Sequence, residues 1–264
     1  MSRAADLASD RRPANQGLQR LSWALASLAT LVLIWTVAST VAQSRHLPGP
    51  GTVFGLVVYE AQTGALWISL AATLLRVAAA FTAAMLIGSA IGLAMGRNPT
   101  ADKFFDAWLI LFLNLPALVI IALSYVWLGP YETTAILAVA INKIPNVAVQ
   151  MREGARNLSR DLDEMAAVYK LGWLKTLQHV TLPQLAPFFA ASARSGLALV
   201  WKIVLVVEAL GGHATGVGHK IYVAFQSFDV GMILAYALAF IVVIQIVEHT
   251  LLQPLQARLN RWKR

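Results

Sequence analysis

Cysteine is absent from this sequence, which excludes disulfide bonds, thiolate metal sites and cysteine nucleophiles. Charge is scarce as well, at 13% of 264 residues, whereas a soluble domain carries roughly 25%. Apolar residues make up 58% of the chain, more than a soluble core could bury. The composition therefore predicts an all-α integral membrane protein. The net charge of +8 is best explained by topology, because basic residues collect in particular loops, and we expect no nucleic-acid partner.

The sequence also lacks a nucleotide-binding motif. The glycine-rich stretch 211–220 (GGHATGVGHK) does not fit the phosphate-loop pattern G-x-x-x-x-G-K-[ST], and no other segment does. All five histidines lie in loops or near the ends of apolar runs, and the pair His213 and His219 is a weak metal pattern. We therefore expect no catalytic residue, no cofactor-binding residue and no metal ligand in this chain, which argues against a membrane-embedded enzyme.

Six apolar segments are close to or above the roughly 20 residues that a helix needs to cross a bilayer. Residues 1–20 form a polar tail, and 21–264 form a single transmembrane domain. The first apolar run exceeds the core of a signal peptide, which is about 7–15 residues, although cleavage near Ala42 is the alternative. The predicted spans are 21–42, 68–95, 104–128, 133–151, 184–210 and 229–253.

The distribution of Lys and Arg predicts the orientation of these spans. Fifteen of the 21 basic residues fall in the tail, in the loop 96–103, in segment 152–183 and after residue 253. The opposite side has two, Arg45 and Lys220. Because cytoplasmic loops carry an excess of positive charge, both termini and segment 152–183 are predicted to be cytoplasmic.

Segment 152–183 has the periodicity of an amphipathic helix. Its apolar residues follow the spacing i, i+4, i+7 and i+11, at Leu158, Leu162, Met165 and Tyr169. Asp161 is expected to cap the helix, with Glu164 at the third position, and Gly172 to end it. Two interpretations remain open at this point: Glu164 only caps a helix on the membrane surface, or the helix contacts a partner.

Charged residues at membrane depth are costly, so each is a candidate for function. Lys202 and Glu208 lie six residues apart in the fifth span, about 9 Å along a helix axis. Both are candidates for a translocation pathway, where Lys202 would favour an anionic solute. The alternatives are an ion pair with another span, or a lysine that extends to the membrane surface. Arg76 in the second span is expected to have a structural role.

Two further spans are interrupted by polar residues and proline. Asn142 and Lys143 lie in the fourth span, where Pro145 is expected to break the helix, and Asn114 and Pro116 interrupt the third. Broken helices are tolerated where protein or water receives the freed backbone groups, so these residues are also pathway candidates. The second span has a separate packing signal, glycines spaced by four at Gly88, Gly92 and Gly96, which predicts close helix contact within the subunit or between partners.

Segment 152–183 resembles the EAA element of permease subunits in ATP-binding-cassette (ABC) importers, which reads Glu-Ala-Ala, then Gly, then a hydrophobic-Leu-Pro end. The matching residues are Glu164, Ala166, Leu182 and Pro183. Met165 replaces the first alanine, and Lys170 stands where the glycine is expected. The stretches 69–97 and 197–212 are similar to the second and fifth spans of the nitrate/sulfonate/taurine group. The resemblance covers roughly 45–262, although 114–129 has Pro116 where many members have a Pro-Pro pair.

The resemblance implies a type I ABC importer fold of six transmembrane helices in a bacterial inner membrane. A coupling helix within 161–183, with Glu164, Met165, Ala166, Ala167, Gly172, Leu182 and Pro183, would contact a cytoplasmic ATPase. The implied partners are two ATPase subunits, which would bind ATP and Mg²⁺, a second permease subunit forming a homodimer, and a periplasmic binding protein. The stretch 211–220 would be an outer gate or a docking surface for that binding protein. The solute would be small and anionic or polar, without further identification. The alternative function is an ion-coupled secondary transporter or a channel, for which Glu208 is the supporting residue.

Overall fold

The structure, a computed structural model, describes residues 15–211 and 215–254, and all regular elements in these ranges are helices. The all-α prediction is confirmed for this part of the chain. The helices are α1 Asn15–Ala42, α2 Pro50–Gln62, α3 Ala65–Arg97, α4 Pro99–Asn114, α5 Ala117–Leu128, α6 Glu132–Arg156, α7 Arg160–Val168, α8 Trp173–Thr176, α9 Leu182–Leu210, α10 Val217–Gln226 and α11 Val230–Val247. Two π-helical turns, Leu177–Thr181 and Glu248–Leu252, extend α8 and α11.

Five helical segments of the described chain are long and apolar enough to cross a membrane: Ser22–Ala42, Ala65–Arg97, Glu132–Arg156, Trp173–Leu210 and Val230–Thr250. The pair α4 and α5 passes the same test together but is bent by 97°. Counting this pair as one span gives six, the number that the sequence predicts. Helix α1 begins at Asn15, so the last six residues of the predicted 1–20 tail are helical, whereas residues 1–14 lie outside the described ranges.

The predicted third span, 104–128, is not one straight helix. It breaks between α4 and α5, where Leu115 has extended backbone angles (φ −71°, ψ 125°) immediately before Pro116. A residue that precedes proline is disfavoured in the helical region, which accounts for the break at this point. The Asn114 side chain donates a hydrogen bond to the Ile110 carbonyl at 2.7 Å, satisfying one acceptor of the terminal turn.

Pro145 does not break the fourth span, in contrast to the sequence prediction. Helix α6 continues through it without interruption to Arg156. Pro145 and the neighbouring Val147 are buried, since α6 packs against both α3 and α9. Proline removes one hydrogen bond from a helix, but surrounding helices can hold the helical path.

The three helices α3, α6 and α9 form the centre of the bundle. Their contact is close because Gly88, Gly92 and Gly96 of α3 face α6: a Cβ atom at Gly88 would lie 2.6 Å from Val147 Cβ, and one at Gly96 would lie 2.5 Å from Ala155 Cβ. The glycine pattern therefore mediates packing within the subunit, one of the two possibilities that the sequence left open.

Candidate functional site

Helix α7 lies at the end of the bundle that contains the C-terminal ends of α3 and α6 and the start of α9, here named the basic end. It begins at Arg160, with Ser159 as the residue before the first turn, so the predicted cap at Asp161 is wrong. Asp161 and Asp163 instead lie in the first turn, where negative charge complements the helix dipole. Glu164 is the fifth helical residue and is exposed, so its predicted position in a capping box is also wrong.

The end of α7 depends on Lys170 rather than on Gly172. Lys170 has a left-handed backbone (φ 51°), whereas Gly172 has φ −61° and precedes α8 in extended conformation. The Leu171 N–H donates to the Ala166 carbonyl at 2.9 Å, and the Lys170 N–H donates to the Ala167 carbonyl at 3.0 Å. This pair of bonds defines a Schellman motif, whose left-handed residue is usually glycine. A glycine, which the resemblance to the EAA element leads one to expect at this position, would adopt this conformation without a steric penalty.

Two polar contacts attach α7 to the membrane helices. The Ser159 N–H donates to Gln184 Oε1 in α9 at 2.9 Å, and Gln184 Nε2 in turn donates to the Val180 carbonyl at 2.9 Å. Arg97 at the end of α3 donates to both oxygens of Asp163, at 2.9 and 3.0 Å. These contacts connect α7 to α3 and α9, two of the three helices at the centre of the bundle.

The two sides of α7 differ in exposure. Ala166 is only 2% exposed, and α7 contacts the π-helical turn that leads into α9. Ala166 therefore packs within the chain itself, in contrast to the sequence expectation that it contacts a partner. Glu164, Met165 and Ala167 are exposed, and Met165 retains 43% of its accessible surface. The exposed surface of α7 and the residue after it includes these three residues, the charged Arg160 and Asp161, and the apolar side chains Leu162, Val168 and Tyr169.

The connection from α7 into the membrane is short and helical. From Trp173 onward, α8, the π-helical turn and α9 together make one 38-residue helical segment that ends at Leu210. Leu182 and Pro183 lie at the start of α9, directly after the π-helical turn, where the backbone remains helical although proline cannot donate a hydrogen bond. Both residues are exposed.

An ion-pair cluster at the basic end joins α4 to α6. Arg152 Nη1 lies 2.5 Å from Asp106 Oδ1 and 3.3 Å from Asp102 Oδ1. Arg156 pairs with Asp102 and, at 3.0 Å, with Glu153. The sequence analysis counted these arginines only for topology. The matching i, i+4 spacing of two aspartates on α4 and two arginines on α6 is the signal that could have predicted the cluster.

A second ion-pair cluster, here named the outer cluster, lies at the opposite end and includes Glu208. The Glu208 side chain is 0% exposed, and its carboxylate accepts from Arg76 Nη1 at 2.6 Å, from Thr73 Oγ1 at 2.9 Å and from the Gly218 N–H at 2.8 Å. Arg76 also pairs with Glu132 through Nε at 2.5 Å. The predicted place of Glu208 on a translocation pathway does not agree with this burial. Its carboxylate instead fixes the start of α10 to α3, which gives Arg76 the structural role that we expected.

The remaining pathway candidates differ in their surroundings. Lys143 is 2% exposed, and a Cβ atom at Gly196 would lie 3.0 Å from its Cε, so it is enclosed between α6 and α9 rather than on an open cavity. Asn142 is partly exposed, and Lys202, Asn114 and Pro116 are exposed. Of the glycine-rich stretch, 212–214 with His213 lie outside the described residues, and His219 lies in α10.

Comparison with known proteins gives consistent matches over most of the chain. A family model described as "Binding-protein-dependent transport system inner membrane component" matches residues 84–262. The taurine transport system permease protein TauC of Escherichia coli (strain K12) is 27% identical over 251 residues, covering 92% of this chain and 90% of that protein. The bicarbonate transport system permease protein CmpB of Synechococcus elongatus is 27% identical over 224 residues, with 80% of each chain covered.

The fold also matches that of a solved transporter. A chain of the MetNI methionine ABC transporter in an inward-facing conformation superimposes with a TM-score of 0.58. The match covers 74% of this chain and 95% of that chain at 15% sequence identity, so it bears on the fold alone.

Proposed function

The chain belongs to the binding-protein-dependent transport system inner membrane component family, and on this premise we propose that it carries a small anionic or polar organic solute, driven by partner ATPases that act through α7. It is a multi-pass permease of an ABC importer with the type I fold, and it is not an enzyme. Permeases of this family work with an ATPase and a binding protein.

We propose that the basic end faces the cytoplasm of a bacterial cell, so that α7 and both termini lie on the side where ATP is available. The support is the count of fifteen basic residues against two on the opposite side. The same orientation leaves α10 and the outer cluster on the periplasmic side, where a binding protein would deliver the solute.

The observation that carries the coupling proposal is the construction of α7. It is a nine-residue helix with an exposed face, tied to α3 through Asp163 and to α9 through the Ser159–Gln184 contact. In our proposal Glu164, Met165 and Ala167 enter a groove on the ATPase, and Leu182 and Pro183 continue the connection into α9. Two ATPase subunits would bind ATP and Mg²⁺, and two copies of this chain would form the permease pair.

The solute class rests on the relatives and on the exposed polar side chains. Relatives carry names for the transport of taurine, aliphatic sulfonates, bicarbonate and nitrate, and another is named for riboflavin. Most of these solutes are small and carry an anionic group. We propose that Lys202 contributes to selection of an anion, and that Asn114, Pro116 and Asn142 lie along the pathway. The alternative of ion coupling loses its support, because the Glu208 carboxylate is enclosed with Arg76.

The coupling proposal is tested by reversing one exposed charge on α7. Glu164→Lys places a cation where the ATPase groove is expected to accommodate an anion, and like-charge juxtaposition at an interface costs several kcal/mol. We expect solute uptake and solute-stimulated ATP hydrolysis to fall at least about tenfold, equivalent to ~1.4 kcal/mol, while membrane insertion is unchanged.

The matched control is Lys175→Glu, a reversal at an exposed residue of the same segment that lies outside α7. We expect near-normal uptake from this control. Normal uptake by Glu164→Lys, or an equal loss in both variants, would contradict the assignment of the coupling surface to α7.

A further inference from the structure

A row of amide side chains follows one face of α6, a helix long and apolar enough to cross a membrane. Asn142, Asn146 and Gln150 are spaced by four residues, so they lie on the same side of the helix. All three are partly exposed, and Asn146 Nδ2 approaches the Asn142 carbonyl at 3.5 Å. The 25-residue α6 has its midpoint near residue 144, so Asn142 and Asn146 lie within about 3 Å of the middle of this helix along its axis.

Helix α9 continues this row on its own exposed face. Ser195 and Lys202 are both exposed and lie seven residues apart, which is two helical turns and therefore the same side. The two rows join where Gln150 Nε2 donates to Ser195 Oγ at 3.1 Å. The five residues Asn142, Asn146, Gln150, Ser195 and Lys202, here named the polar face, thus form one surface across two packed helices.

This surface is incompatible with contact to lipid. Exposed amides and a charged side chain at the depth of the hydrocarbon are costly unless they meet water or protein. Other charged residues of the spans differ in exposure: Lys143 is 2% exposed, Arg76 and Glu208 pair with each other, and Arg194 of α9 is exposed. In the polar face, by contrast, polar side chains of two packed helices adjoin one another.

We propose that the polar face lines the solute pathway and recognises small oxyanions. This inference rests on the proposed function, since it assigns the site for the solute class named there. The amide and hydroxyl groups can donate hydrogen bonds to an oxyanion, and Lys202 adds a positive charge, whereas the carboxylate of Glu208 on the same helix is enclosed. Asn146, Gln150 and Ser195 extend the pathway beyond the residues that sequence reasoning selected.

The absence of native cysteine makes the test direct. Single cysteines replace Asn146 and Ser195 in the full chain, assembled with its ATPase in membrane vesicles, with and without ATP. Leu86→Cys on α3 and Ile241→Cys on α11 are controls at exposed apolar positions. The probes are membrane-impermeant thiosulfonates of opposite charge. We expect both polar-face cysteines to react in at least one nucleotide state, and the two controls to remain unreacted in both.

Charge selection is measured at the Ser195→Cys position. Lys202 lies about 10 Å away along α9. At this distance its charge still changes the electrostatic energy of a charged probe near residue 195, even in the high dielectric of water. The rate ratio of anionic to cationic probe should fall at least about fourfold in the Lys202→Gln background and recover in Lys202→Arg.

Absence of labelling at both polar-face positions in every nucleotide state would overturn the pathway and indicate a dry protein interface. A rate ratio insensitive to Lys202→Gln would overturn the preference for anions. Retention of the ATPase by each variant is scored separately, so that a failure of the proposed coupling is distinguished from a failure of the polar face.

Discussion

Replacing Arg76 with methionine should destabilise the protein more than any other single change in the outer cluster. The change removes the cation that lies 2.6 Å from Glu208 Oε1, and leaves a 0% exposed carboxylate with hydrogen bonds only from Thr73 and Gly218. Removing one partner of a buried ion pair costs about 3–5 kcal/mol, because the remaining charge is uncompensated.

The matched control is Glu132→Gln, which removes the other carboxylate that contacts Arg76. The Glu132 side chain is 52% exposed, so water screens this pair, and we expect a cost of about 1 kcal/mol or less. The loss of stability in Glu208→Gln should lie between those of the other two variants. A buried neutral amide costs less than a buried unpaired carboxylate, but Arg76 then keeps only one counter-charge, that of Glu132.

The assay is thermal unfolding of the purified protein in detergent, followed by tryptophan fluorescence. With the scaling for chains of 150–250 residues, Arg76→Met should lower the midpoint by roughly 10 °C, and Glu132→Gln should lower it by no more than about 2–4 °C. An unfolding midpoint of Arg76→Met equal to that of the wild type, or equal destabilisation by Arg76→Met and Glu132→Gln, would contradict the role given to the buried Arg76–Glu208 pair.

Three further predictions concern the basic end and the helix core. Lys170→Gly should stabilise the end of α7 by about 1 kcal/mol, because glycine has no steric penalty at φ 51°. The control Gly172→Ala should leave the stability unchanged, and the thermal unfolding midpoints of the two variants are compared. Gly92→Val should prevent folding, because a Cβ atom at residue 92 would overlap α6. Gly55→Ala should fold normally, because a Cβ atom there meets open space, and the yield of folded protein is measured for both variants. Gln184→Ala should speed hydrogen exchange of the Ser159 amide by up to about tenfold, the loss expected for one hydrogen bond.

The fold was largely predictable because the membrane imposes a simple rule on the chain. Every spanning segment must satisfy its own backbone, so length and hydropathy were sufficient to find the helices. The glycines of α3 likewise indicated close packing from spacing alone. The partner of that packing was not predictable, because the same surface could meet α6 of its own subunit or a helix of another. At Pro145 the sequence predicted a helix break that the structure does not have, because packing against neighbouring helices maintains a helix that proline alone would interrupt.

Helix α7 was predictable in position but not in detail. The periodicity of segment 152–183 located α7, yet the start of the helix, the left-handed residue and the inward direction of Ala166 depend on contacts that are distant in sequence. Glu208 shows the same limitation: its partner Arg76 is 132 residues away, so an ion pair and a solute contact could not be distinguished from the sequence. Asn146, Gln150 and Ser195 were missed because single amides and serines carry little signal until two helices are seen to align them.

Contact between α7 and the ATPase, through which force would reach the membrane helices, can be measured with a photoreactive group attached to the cysteine of a Met165→Cys variant. Val223→Cys on α10 is the matched control, since it is a similarly exposed apolar residue at the opposite end. We expect the probe at residue 165 to form an adduct with the ATPase in the intact complex and to block uptake, and the probe at residue 223 to do neither. An intact complex that yields no adduct from residue 165, or equal adducts from both positions, would contradict this contact.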